Sequence, residues 1–294
     1  MRVVEVSQHS AMVRIKDGCL AISIDGKVLG SVPVGEVGCV LLSSPHATCS
    51  VTALATLAAQ GTPVVVCDPS MRPVGMMLPF REQHEVTTRM AAQATASVPM
   101  RRRLWKSLVR SKIAGQAAIL SETTGSDHHL GLMIKRVKAG DPENVEGRAA
   151  RRYWRRLLGE SFRRRRGQGL ANKMLDYGYA ILRAAVARSL CVAGLHPSLG
   201  IHHHNRSNAF ALADDLIEPF RPAVDRVVVA CKPSYESQED LSPPLKRKLA
   251  MCLEEVIPMA GERRTVQDSL GRSASSLAGV FLGEREELSL PWIG

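Results

Sequence analysis

The sequence predicts an α+β protein in which a small N-terminal β-rich domain, residues 1–80, precedes a larger all-α domain, residues 86–294. Three observations carry this. Apolar residues alternate with a period of two in short runs up to about Phe80, and with a period near 3.6 beyond about Gln83. Asp-Gly pairs separate the first runs. A change of composition near Pro79–Gln83 marks the boundary.

The expected strands are Arg2–Val6, Met12–Lys16, Leu20–Ile24, Val28–Val32, Gly38–Leu42, Pro63–Cys67 and Val74–Met77. Asp17-Gly18 and Asp25-Gly26 read as hairpin turns, since glycine takes positive φ without a steric penalty. One helix, Ser50–Gln60, interrupts the strands and stops at Gly61. This first half has no clustered acids or histidines and no Gly-rich phosphate loop, so it reads as structural.

The second half predicts helices over His84–Ala94, Leu104–Glu122, Leu130–Ala139, Val145–Leu158, Lys173–Ala193, Ala209–Glu218, Pro244–Val256 and Val266–Leu282. Gly178 falls inside one of these patterns at a propensity cost of about 1 kcal/mol, which predicts a close helix contact. Tyr177 and Tyr179 beside it are expected in the core. Phe162–Gly169, arginine-rich and flanked by glycine, reads as an exposed loop that a partner orders.

Lys and Arg total 39 against 28 Asp and Glu, a formal charge of +11, which points to a polyanionic partner. Basic clusters at Arg101–Arg103, at Arg151 and Arg152, and at Arg163–Arg166 each lie beside an aromatic residue (Trp105, Trp154, Phe162) and suit phosphate contacts. A single cluster is ordinarily a solvated face; three together favour nucleic acid. The seven cysteines form no CxxC pair and have apolar neighbours, so reduced thiols and a cytoplasmic location are expected. Neither an export signal nor an uncharged apolar run near the roughly 18 residues of a membrane helix is seen, so no membrane partner is expected.

The candidate chemistry lies in the helical half. Asp214, Asp215 and Glu218 fall on one side of a helix and form an acidic stripe. Such a stripe is a common solvated face, but like charges at this spacing also favour a bound cation. His202, His203 and His204 lie just before the helix that carries it, bringing imidazole and carboxylate from adjacent segments, a mixed donor set suited to Mn²⁺ or Mg²⁺, with zinc also open. Glu146 opens the helix Val145–Leu158 and shares a face with Ala149, Ala150 and Tyr153, which allows close approach to its carboxylate. A first-turn acid also interacts favourably with the helix dipole, with Asn144 as cap.

Glu146-Gly147 followed by AARRYW, LDYGYAILRAAVARSL, and His203 leading into DDLIEPFRPAVD together resemble CRISPR-associated protein one, the adaptation integrase, most closely its type II form. TPVVVCD and MLPF extend the resemblance into the first half. It implies that Glu146, His203 and Glu218 coordinate a divalent metal, Mg²⁺ or Mn²⁺, with Asp215 as an additional acid of the catalytic site or one that supports its ligands from behind. A shift of one residue in the loop would move the histidine to His202 or His204, and Asp214 has no clear counterpart. The resemblance further implies a homodimer, a complex with CRISPR-associated protein two, and double-stranded DNA partners, the protospacer and the CRISPR repeat. It implies help from the RNA-guided effector nuclease in choosing protospacers. The activity expected is metal-dependent phosphodiester cleavage and strand transfer. The absence of a P-loop fits a reaction without a nucleotide cofactor. The alternatives are a structure-selective DNA nuclease outside CRISPR defence and a non-catalytic nucleic-acid scaffold. A zinc hydrolase is disfavoured, because no HExxH pair is present.

Overall fold

A computed structural model describes residues 2–7, 10–67, 73–77, 86–205, 207–232 and 240–293. The boundary expected at Pro79–Gln83 lies outside them. β1 (Arg2–Val6), β5 (Val37–Leu42), β7 (Val64–Cys67) and β8 (Pro73–Met77) form one sheet in the order β1-β5-β7-β8. Its first three strands run parallel and β8 antiparallel to β7. β2 (Met12–Lys16), β3 (Cys19–Ile24), β4 (Lys27–Pro33) and β6 (Thr48–Cys49) form a second sheet, in the order β4-β3-β2-β6. The two Asp-Gly pairs make its hairpin turns: Asp17, Gly18, Asp25 and Gly26 all have positive φ, the backbone form that suits the twist of adjoining strands. Ser50 caps α1 (Val51–Ala59), its side chain accepting from the Ala53 amide.

Strand alternation decides which core each residue joins. Val40 and Val64 face a small cluster with Val6, Val13, Leu20 and Leu57, whereas Cys39, Leu41 and Val65 face the main core under the helices. β5 and the start of β7 are therefore buried on both sides, and the β-rich half shares its interior with the helical half. Two polar contacts cross the same junction. Tyr177 donates to Glu5 Oε2 at 2.5 Å, and Arg188 donates to the carbonyls of Gly61 and Gly38.

Among the described residues the further helices are α2 (Val86–Ala94), α3 (Val98–Thr124), α4 (Leu130–Ile134), α5 (Val145–Leu158), α6 (Leu170–Val192), α7 (Ala211–Leu216), α8 (Arg221–Ala230), α9 (Pro243–Ala250) and α10 (Val266–Leu282). α6 is buried along almost its whole length and is the central post of the domain. A Cβ on Gly178 would overlap Val224 Cγ1, so the missing side chain lets α8 approach α6. Tyr177 and Tyr179 are buried, as expected.

Several expectations are corrected. α3 begins six residues before the expected Leu104, because Ser97 caps it and Pro99 occupies its first turn. α4 stops at Ile134 instead of Ala139. The expected helix to Val256 ends at Ala250 with a 3-10 turn to Leu253, and β9 (Val256–Met259) pairs with β10 (Glu262–Thr265), so the second half is not all helical. The loop 162–169 is exposed but not loose. Asn172 holds the Arg165 amide and the Arg163 and Gln168 carbonyls, and Asp176 pairs with Arg164 at 2.5 Å.

Candidate active site

Three segments distant in sequence meet beneath α3. α5 begins where Asn144, at φ 49°, accepts from the Gly147 amide, while Asp141 accepts from the amides of Val145 and Glu146. Glu146 thereby leaves the first turn with its side chain directed at α3. α7 ends at Leu216, two residues before the expected Glu218, because Pro219 has no N–H to continue the ladder. Glu218 opens the 3-10 turn that follows. The Trp292 indole donates to the Pro219 carbonyl at 2.8 Å and closes this turn from behind.

Glu146 and Glu218 converge on a single cation, the ammonium of Lys112 on α3. Nζ hydrogen-bonds Glu146 Oε1 and lies 2.5 Å from Glu218 Oε2. Oε2 is buried, and the Lys112 ammonium is its partner. The other oxygen, Oε1, accepts from Arg221 Nε at 3.0 Å. Burial opposes the charge on Glu218, but Arg221 and Lys112 outweigh it and hold the carboxyl at about 2. Burial likewise opposes the Lys112 charge, and Glu218 and Glu146 more than offset it, so the ammonium titrates above its ordinary range.

His203 is fixed by Asp215. This carboxylate is fully buried and accepts from the amides of Ile201, His202 and His203 and from His203 Nδ1 at 2.6 Å. A carboxylate only accepts, so Nδ1 carries the proton and Nε2 remains available. The hydrogen bond to Asp215 raises the His203 pKa against the opposing effect of burial, and the charge of Glu218 adds to the rise. The loop needs Gly200, since a Cβ there would overlap the His203 carbonyl. His202 stacks flat on Trp105 at 4.0 Å between ring centroids, and His204 is exposed.

The acidic stripe read from the sequence is not a solvated face. Asp215 and Glu218 are buried, while Asp214 pairs with Arg183 at 2.7 Å and accepts from Asn208. Asp215 spends both oxygens on the histidine loop, which makes it a positioning group.

A metal was expected from the donor set. Among the described residues, no three His, Cys, Asp or Glu side chains are grouped so that they could hold an ion as they stand. The chemistry of the donors nevertheless suits one: two carboxylates already share a cation, and an imidazole nitrogen lies free of the carboxylate that orients it.

Sequence reasoning missed Lys112, Arg221 and Asp225. Arg221 stacks on the Tyr179 ring at 4.5 Å, and Asp225 accepts from Tyr179 at 2.5 Å and Tyr153 at 3.0 Å. Burial raises Asp225 to about 6 although both hydroxyls and Arg221 oppose it. Lys112, Glu146 and Arg221 open onto a cavity of about 460 Å³ whose rim carries Arg151, Arg155 and Arg163.

The sequence model for the family described as CRISPR associated protein Cas1 matches residues 4–241. The CRISPR-associated endonuclease Cas1 of Neisseria meningitidis serogroup C (strain 8013) is 33% identical over 267 residues, covering 90% of this chain and 87% of its own. A casposase bound to integration product superposes with a TM-score of 0.82 at 20% identity, over 98% of this chain and 93% of its own. A Cas6-RT-Cas1–Cas2 complex gives a TM-score of 0.75 at 19% identity, over 96% of this chain and 35% of that one. The long match to the family and the relative's coverage of nearly the whole chain establish that this protein belongs to the Cas1 family of CRISPR-associated proteins.

Proposed function

We propose that this chain is the integrase of CRISPR spacer acquisition, and that Glu146, His203 and Glu218 hold a divalent ion, Mg²⁺ or Mn²⁺, at its catalytic site. The observation that carries the reading is the convergence of Glu146 and Glu218 on one cation beside an imidazole that Asp215 orients. When bound, such an ion lowers the pKa of an attacking hydroxyl and offsets charge on the phosphoryl oxygens. The protein supplies the rest. Asp215 keeps His203 Nε2 turned away from itself, Arg221 restrains Glu218, and the arginine rim of the adjoining cavity attracts the phosphate backbone.

In the reaction, the 3′-oxygen of a short duplex forms a new P–O bond at the repeat boundary while the old 3′-oxygen leaves. One diester replaces another, so no nucleotide is consumed. With water as nucleophile the same site cuts DNA. Asp215 acts through His203. The protospacer and repeat duplexes are the DNA partners, Cas2 is the protein partner, and the chain works as a homodimer in the cytoplasm, with the RNA-guided effector nuclease helping to choose protospacers. The likeness to a casposase bound to integration product and to a Cas6-RT-Cas1–Cas2 complex supports the first two of these. Among the described residues no helix is long and apolar enough to cross a membrane.

The test is an assay with purified Cas2-type partner, labelled duplex and a repeat-bearing plasmid. Covalent joining of label to plasmid is expected. Cutting without joining would leave a nuclease outside adaptation, and DNA binding with neither reaction a scaffold.

A further inference from the structure

Lys112 is a buried lysine within the helical half. It sits mid-way along α3 between Ser111 and Ile113, both fully buried, and its own side chain is 10% exposed. A lone ammonium in such a place is strongly disfavoured, and long cationic chains normally carry their heads to water. Here the head stops at Glu146 and Glu218, which approach it from α5 and from the turn after α7. The three elements are tied together at this point by charge as much as by packing. Arg221 already neutralises Glu218 through its other oxygen.

A divalent ion that used these two carboxylates would meet the ammonium at the same oxygens, where two cations repel. We propose that Lys112 is a built-in counter-cation, which holds Glu146 and Glu218 together on its own and is displaced from them when a divalent ion binds. The inference rests on the reading that these carboxylates are metal ligands. Displacement has somewhere to go: Lys112 also lines the 460 Å³ cavity with the arginine rim, so the ammonium can turn from the carboxylates toward the space assigned to nucleic-acid phosphate. Metal binding is then an exchange of cations. Its affinity is lower than the donor set alone would give, and the pair of acids never stands unneutralised.

The test is isothermal titration of Mn²⁺ into the full chain, with thermal unfolding in parallel, for wild type, Lys112→Met and Glu218→Gln. Met keeps a long apolar stem and removes the charge. The expected result is that Lys112→Met binds Mn²⁺ at least tenfold more tightly than wild type, melts lower without Mn²⁺ and gains more on adding it, while Glu218→Gln binds more weakly than wild type. Equal or weaker binding by Lys112→Met, with Glu218→Gln still impaired, would overturn the exchange and leave the metal assignment standing. Equal binding by all three would remove the metal assignment, and the exchange with it. Should Lys112→Met not fold alone, folding driven by Mn²⁺ would support the exchange. Failure of both Lys112→Met and Lys112→Gln to fold at any Mn²⁺ concentration would overturn it.

Discussion

Asp215 Oδ1 lies 2.6 Å from the Nδ1 of His203 and 3.2 Å from its amide nitrogen, so one carboxylate oxygen fixes both the ring and the main chain of a single residue. The other oxygen accepts from the amides of Ile201 and His202. The loop carrying the candidate ligand is thus folded around a buried anion.

Asp215→Asn turns one of these oxygens into a donor facing other donors. A loss of about 2–4 kcal/mol in urea unfolding is expected, because buried polar groups are left without partners. The His203 pKa, followed by NMR, should fall as its carboxylate partner is lost. An unchanged titration would contradict the positioning role.

The stability of the protein should respond to pH through two buried acids with opposite signs. Glu218 sits at about 2 against an ordinary 4.5, so the stability it contributes is present above the ordinary value and is lost as pH falls toward 2. Asp225 sits at about 6 against 3.8, so the folded state holds its proton more tightly and stability is lost as pH rises between those values. Asp225→Asn should flatten the loss between pH 3.8 and 6 and leave the acid limb in place. Urea midpoints measured from pH 3 to 7 decide this; a slope unaltered by the substitution would contradict it.

Gly178→Ala should destabilise the chain by about 1–3 kcal/mol, the usual cost of overpacking a dense interior. The new Cβ meets Val224 Cγ1. Gly178→Ala combined with Val224→Ala should recover part of the loss, and a double-variant cycle in urea reads the coupling. Strict additivity would show that α6 and α8 do not depend on this contact.

Affinity for duplex DNA should fall steeply with salt, as counterion release requires. Arg151→Ala and Arg163→Ala, on the rim of the cavity beside Glu146, should each reduce the slope of log affinity against log salt by about 1. Fluorescence anisotropy across a salt series checks this. A flat response would remove the polyanion reading.

Much of the fold is local and therefore readable. Val145–Leu158 has the expected bounds because Asn144 caps one end and Gly159 ends the other, and the Asp-Gly turns set the first meander. β9 and β10 were not legible: each is four residues long, Pro258 interrupts the first, and the tight turn at Ala260-Gly261 is their one local signal. Glu146, His203 and Glu218 stood out through residue type and resemblance. Lys112 did not, since a lysine in a basic helix looks like any solvated cation, and its burial arises only when α5 and the turn after α7 close over it. Asp225 was hidden for the same reason: its partners, Tyr153 and Tyr179, come from two other helices.

The most direct measurement is strand transfer of labelled duplex into a repeat-bearing plasmid by Glu146→Gln and Glu218→Gln, in Mg²⁺ and in Mn²⁺, with duplex affinity recorded alongside. The account predicts that both variants lose joining in either metal while binding duplex within about threefold of wild type, because affinity rests on many phosphate contacts elsewhere. Joining at wild-type rates by either variant would contradict it.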